Sequence, residues 1–150
     1  MPSVTAVTKE DLSGIAVLEE LCFSEPWSEK SLGLLCEGDN FGVVICSEGR
    51  AVAYGGMTCV LDEGSITNIA THPDCRRQGY GRRVVSALIE EAEKRGISEI
   101  FLEVRVSNSA AIALYVSEGF TACGVRKNFY RHPTEDAIQM KYITNSLENK

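Results

Sequence analysis

The sequence predicts one α/β domain built on a mixed, mainly antiparallel sheet of about seven strands with helices on both sides. Short runs rich in β-branched or alternating apolar residues recur along the chain, separated by turn signals. The segments between them carry apolar residues at helical spacing, opened by capping residues and closed by glycine. The chain has 150 residues, 44% hydrophobic and 24% charged, which suits one proper core and argues against disorder.

Val4 to Val7 reads as a short first strand. Thr8-Lys9-Glu10-Asp11 is like a capping box, with Thr8 placed to bind the amides two or three residues on. Leu12, Ile15, Ala16, Leu18, Glu19 and Cys22 follow as a mostly one-sided apolar pattern in the first helix. Ser24-Glu25-Pro26-Trp27 breaks it, and Ser28 caps a second short helix through Leu35. Trp27, the single tryptophan, is either a packing anchor or the wall of a substrate cleft. Phe41 to Cys46 is a strand, Glu48-Gly49 a turn, and Ala51 to Val60 the hairpin partner. Gly55-Gly56 inside that partner predicts a bulge or a close backbone approach. Asp62-Glu63-Gly64 turns the chain into Ser65 to Ala70, a β-branched run that stops before His72-Pro73.

The next stretch predicts an anion site. Gly79 and Gly81 lack side chains, so a ligand can approach the backbone there. Val84, Val85, Leu88, Ile89 and Ala92 then form one helical stripe, Lys94 and Arg95 fill the last turn, and Gly96 is a C-cap. The first turn of a helix has unpaired N–H groups and the positive end of the macrodipole. Here a glycine-rich loop feeds that turn, flanked by Arg76, Arg77, Arg82 and Arg83, a combination suited to a pyrophosphate. An ordinary solvated loop is the alternative. A P-loop is excluded because no Gly-Lys-Ser/Thr occurs, and a Rossmann fingerprint because Val84 stands where its third glycine belongs.

Glu99 to Arg105 is a strand with Ile100, Leu102 and Val104 on one face and Phe101, Glu103 and Arg105 on the other. Glu103 is therefore a carboxylate in mid-strand, where burial raises its pKa unless a partner offsets it. A salt bridge with Arg105 or a helix lysine is the alternative role. Asn108 to Glu118 is a helix capped by Ser107 or Asn108 and ended by Gly119. Its Tyr115 reads as a core aromatic or a working hydroxyl. Phe120 to Val125 and Ala137 to Ile143 are the last strands, joined by the basic, aromatic link Arg126 to Arg131, and Asn145 to Lys150 read as a frayed end.

A net charge of −6 argues against a phosphate-backbone binder as the main role and suits a basic partner. No apolar run approaches a membrane span, and MPSVTAVTKEDL is no signal peptide. Cys22, Cys36, Cys46, Cys59, Cys75 and Cys123 show no C-x-x-C spacing, and His72 and His132 are the only histidines. Free thiols in a reducing cytoplasm, with no metal site, are expected.

Arg76, Gly79 and Gly81 match motif A of the GNAT acetyltransferases, Arg/Gln-x-x-Gly-x-Gly/Ala. PWSEKS (26–31), NIATHPDCRRQGYGR (68–82), LEVRVSNSAAIALYVSEGF (102–120) and NFYRHPTEDAIQM (128–140) extend the likeness. Over about its whole length the chain resembles the bacterial ribosomal-protein-alanine N-acetyltransferase (RimI) branch of that family. Motif A alone says only GNAT; the LEVR…SN run joined to EDAI-x-M is much more specific to N-terminal acetyltransferases.

The resemblance implies a single GNAT acyl-CoA N-acyltransferase domain over residues 1–150, with acetyl-CoA as cosubstrate and no metal. It implies that the strands flanking the long helix splay to admit the pantetheine arm. Glu103 would be the general base, directly or through water, and Tyr115 the general acid for the leaving thiolate. Ile69, Ala70, Thr71, Arg77, Gln78, Gly79, Tyr80, Gly81, Arg82 and Asn108 would contact the cofactor, and Trp27 and Tyr130 the acceptor. Thr71 replaces an apolar residue common in the branch, and Phe129 a tyrosine. The implied acceptor is the N-terminal alanine of a small-subunit ribosomal protein, met as a protein segment without direct nucleic-acid or membrane contact. Glu25, Asp62-Glu63 and Glu135-Asp136 are acidic candidates at the cleft edges for a basic segment. Other protein N-termini, lysine side chains, small-molecule amines and a non-catalytic acyl-CoA-binding role are the alternatives.

Overall fold

The β-branched and alternating runs form β1 (Val4–Ala6), β2 (Phe41–Ser47), β3 (Arg50–Val60), β4 (Glu63–Thr71), β5 (Glu99–Arg105), β6 (Thr121–Tyr130) and β7 (Glu135–Ile143). The helices are α1 (Leu12–Cys22), α2 (Glu29–Leu32), α3 (Tyr80–Lys94) and α4 (Ser109–Ser117). This computed structural model describes residues 2–144, so the chain end read as frayed, Asn145 to Lys150, lies outside the described residues. The strands make one sheet in the order β1-β2-β3-β4-β5-β7-β6. Neighbours are antiparallel except β4 and β5, which the α3 crossover joins in parallel.

Local chemistry sets the helix ends. The Thr8 N–H donates to Asp11 Oδ2 at 2.8 Å ahead of α1, and the Ser31 N–H donates to Ser28 Oγ at 3.1 Å at the start of α2. Gly96 stops α3 in the left-handed region at φ +79°.

Period-two alternation builds a core on each face of the sheet. Val43, Ile45 and Ala53 meet Val84, Val85, Leu88 and Ala92 of α3. Val44 and Tyr54 point the other way, onto Ile15 and Leu18 of α1 and Leu32 of α2. Burial of each large α3 stripe residue contributes about 1.5–3 kcal/mol, whereas an isolated helix of this length is marginal, so packing holds α3. Gly55 makes that packing possible: a Cβ there would stand 2.7 Å from Val84 Cγ1.

Three features position the cleft described below. First, of the bulge or close approach that the glycine pair predicts, β3 shows the close approach at Gly55, and the extra residue is on β4. Gly55 faces Ile69 and Met57 faces Ile66, so Thr67 and Asn68 bulge opposite Gly56. Second, β4 and β5 pair only from Glu63↔Glu99 to Ser65↔Phe101. From Ile66 to Thr71 the β5-facing edge of β4 has no strand partner, which is the splay expected of the strands flanking the long helix. Third, Arg126 to Tyr130 is the second half of β6 and not a link. It pairs with β7 through a register shift, and the Asn128 N–H, on a backbone at φ +54°, donates to Asp136 Oδ1 at 2.8 Å.

Candidate active site

Where β4 and β5 part, a cleft of about 410 Å³ opens. Trp27, Glu103, Asn108, Tyr115, Tyr130, Asn68 and Ile69 all line it. The sequence thus brings residues from five segments to one place.

Glu103 reaches the cleft by strand parity. Leu102 and Val104 are buried on the α3 side of β5, so Glu103 faces away from α3. Arg105, on its face, does not neutralise it. The Arg105 guanidinium donates to Glu135 Oε1 at 3.1 Å and to the Pro133 and Arg131 carbonyls at 2.9 and 3.0 Å. It also lies 4.4 Å over the Tyr130 ring. The alternative of a Glu103 salt bridge with Arg105 is therefore not formed, and Glu103 has no ion pair among the described residues.

Tyr115 is carried by α4, whose cap is Asn108: its Oδ1 accepts the Ala111 N–H at 3.2 Å. The ring is buried and packs on Phe120 with centroids 5.8 Å apart. Its hydroxyl has no hydrogen bond among the described residues, so a satisfied core tyrosine describes only the ring. Burial, and then nearby Tyr130, push the Tyr115 phenol well above its ordinary range. Burial pushes Tyr130 up to about 12, the Glu103 charge adding to the rise and Arg105 opposing it. Glu103, Tyr130 and Tyr115 thus share one electrostatic neighbourhood.

The glycine loop stands at the end of β4, outside the cleft lining. Arg77 at φ +65° and Gly79 at φ +80° turn the chain into α3, and no side chain caps its first turn. A Cβ on Gly79 would meet nothing within 4 Å. Arg77, Gln78 and Gly79 are exposed, while Tyr80 is buried. Gly81 has a different reason: a Cβ there would stand 3.3 Å from Leu114 Cδ2, so it lets α4 pack close. Arg82 is half-exposed and donates to Glu118 Oε2 at 2.9 Å and Ser117 Oγ at 3.0 Å. Arg76 Nε donates to the Thr71 carbonyl at 3.4 Å, and Ala70 is buried. Arg83 flanks the loop in sequence, with its guanidinium 6.0 Å from the Tyr80 ring centroid. Its side chain turns to the β1 side and donates to the Pro2 carbonyl.

The acidic rim is smaller than expected. Glu25 lines the cleft. Glu135 is held by Arg105 and accepts the Ser107 N–H at 2.7 Å; hydrogen bonding to Ser107, then Arg105, keeps its carboxyl below the ordinary range. Asp136 accepts from Asn128, and Asp62 binds Ser98 Oγ at 2.8 Å near the strand starts, away from the cleft. No group of three or more potential metal ligands occurs among the described residues, and their cysteines are free thiols.

One site residue escapes sequence reading. Glu19, placed in the apolar pattern of α1, is fully buried and accepts from the Trp27 N–H at 2.8 Å, from Asn68 Nδ2 at 3.0 and 3.1 Å, and from the Tyr54 hydroxyl. The available signal was a glutamate inside the stripe set by Ile15, Leu18 and Cys22.

Comparison with known proteins agrees with this architecture. A [ribosomal protein bS18]-alanine N-acetyltransferase of Escherichia coli (strain K12) is 40% identical over 145 residues, covering 93% of this chain and 96% of that protein. A putative enzyme of the same name from Bacillus subtilis (strain 168) is 35% identical, covering 87% and 88%. The crystal structure of the ribosomal-protein-S18-alanine N-acetyltransferase from Escherichia coli superposes with a TM-score of 0.87 at 38% identity, covering 96% of this chain and 95% of that one. The acetyltransferase (GNAT) family model matches residues 12–120, and the chain belongs to that family.

Proposed function

We propose that the protein transfers the acetyl group of acetyl-CoA to the N-terminal α-amine of a protein, the N-terminal alanine of a small-subunit ribosomal protein. The observation that carries this reading is the meeting of Glu103, Tyr115 and Tyr130 in the cleft between β4 and β5. The acceptor is supported by the names of relatives matched over nearly the whole chain.

The residues at the end of β4 fit an acyl-CoA. The open space at Gly79 and the uncapped first turn of α3 suit a pyrophosphate. Ile69, Ala70 and Thr71 lie on the strand edge that the sheet leaves unpaired, and Arg77 to Arg82 and Asn108 complete the cofactor side. When bound, acetyl-CoA supplies an activated thioester carbonyl. An α-amine has a pKa near 8, so a modest pull makes it a nucleophile. Glu103 takes its proton, directly or through one water. Peptide N–H groups of Ile69 to Thr71 polarise the carbonyl oxygen. Burial keeps the Tyr115 hydroxyl protonated throughout the working range, so it has a proton for the departing sulfur. Trp27 and Tyr130 wall the acceptor end.

The test is a panel of peptides varying the first two residues, with release of free CoA as readout. Alanine-first peptides should be turned over fastest. Equal turnover of a free polyamine or of peptides blocked at the N-terminus overturns the reading.

A further inference from the structure

Glu19 is a buried charged group with no part in the chemistry above. It is fully buried, yet every polar contact it makes is an accepted hydrogen bond. Its donors come from three separate elements: the Trp27 backbone in the α1–α2 loop, Tyr54 on β3, and Asn68 in the β4 bulge. The ionised carboxylate is the side chain that accepts on both oxygens, as this arrangement needs. Burial and the Glu19 charge also push the Tyr54 phenol far above its ordinary range, so it stays a donor.

A buried charge is a poor way to gain stability, since an apolar side chain of similar volume serves as well or better. Its geometric consequence is more specific. Two of its donors, Trp27 and Asn68, line the cleft on opposite segments. The residues before Trp27, Ser24 to Pro26, are exposed, so the Glu19 bond, together with the packing of Trp27 on the α1-side core, ties this loop down. We propose that Glu19 is a positioning residue of the acceptor cleft: it holds the Trp27 wall at a set spacing from the β4 bulge. The inference rests on the functional reading above for the identity of the acceptor.

Glu19→Gln is isosteric but puts an amide donor against the donors of Tyr54 and Asn68. Trp27 is the only tryptophan, so its fluorescence reports the wall directly. For Glu19→Gln the peptide KM should rise about tenfold or more, kcat should change less than about threefold, and acetyl-CoA affinity by calorimetry less than about twofold. Trp27 should become more accessible to acrylamide quenching. A folded variant with wild-type peptide KM and quenching overturns the proposal, as does an equal loss in KM, kcat and acetyl-CoA affinity. Should the variant not fold, hydrogen exchange of the wild-type Trp27 amide decides: slower exchange than at Ser24 and Glu25 supports the tether, and equal exchange overturns it. A wild type that acetylates no N-terminal peptide sinks the functional reading itself, an outcome distinct from a Glu19→Gln variant that matches an active wild type.

Discussion

Removing one oxygen from Tyr115 separates its packing from its chemistry. The ring is buried against Phe120, and Tyr115→Phe keeps that contact. Its hydroxyl makes no hydrogen bond among the described residues, so deletion should change stability by less than about 1 kcal/mol. A general acid contributes about 10²–10⁴-fold in rate, equivalent to about 2.7–5.4 kcal/mol of barrier. The loss should fall on kcat, with acetyl-CoA affinity unchanged. Because burial raises the phenol pKa, Tyr115 stays protonated to beyond its ordinary value of about 10, so it should impose no alkaline limb on the wild-type rate between about pH 8 and 10. The assay is steady-state CoA release from pH 6 to 10, paired with denaturant unfolding. A Tyr115→Phe rate within about threefold of wild type, or unfolding weakened by more than about 2 kcal/mol, refutes the assignment.

Glu103→Gln should fold, bind acetyl-CoA normally and lose about 10²–10⁴-fold in kcat at neutral pH, checked by single-turnover acetyl transfer. Gly79→Asp introduces a carboxylate where the structure has open space, and aspartate is among the residues that tolerate a left-handed backbone. It should fold and weaken acetyl-CoA by tenfold or more in calorimetry, whereas Gly81→Asp also disturbs the Leu114 contact and is the less clean probe. The raised pKa of Tyr54 and Tyr115 means that the native state retains protons which the unfolded chain releases from about pH 10. Their stabilisation is complete below that pH and lost above it, at about 1.4 kcal/mol per pH unit for each tyrosine. Guanidinium unfolding between pH 8 and 11 should therefore fall less steeply for Tyr54→Phe than for wild type, by that amount.

The parts legible in the sequence were those governed by local periodicity. Alternation in β5 put Glu103 opposite Leu102 and Val104, and the α3 stripe, its Gly96 stop and the Asn108 cap all follow from spacing. The parts that were not legible depend on who the neighbour is. Gly55-Gly56 reads as a bulge or a close approach: the close approach is found at Gly55, where α3 packs, but that the extra residue sits on β4 is not written in the glycines. β6 carries its ladder through Arg126 to Tyr130, but as an exposed edge strand it has no buried alternation to reveal it. Glu19 looked like one more helix residue because its partners lie up to 49 positions away. Likewise, Glu135 and Asp136 looked free for a substrate and are held by Arg105, Ser107 and Asn128.

The most direct test of the central claim is mass spectrometry of the reaction product. The acceptor is a peptide with a free N-terminal alanine and internal lysines, incubated with the protein and acetyl-CoA. One acetyl group on the alanine α-amine, formed by the wild type and suppressed in both Glu103→Gln and Tyr115→Phe, is the result this account predicts. Acetyl groups on the lysines with the α-amine left free would contradict it.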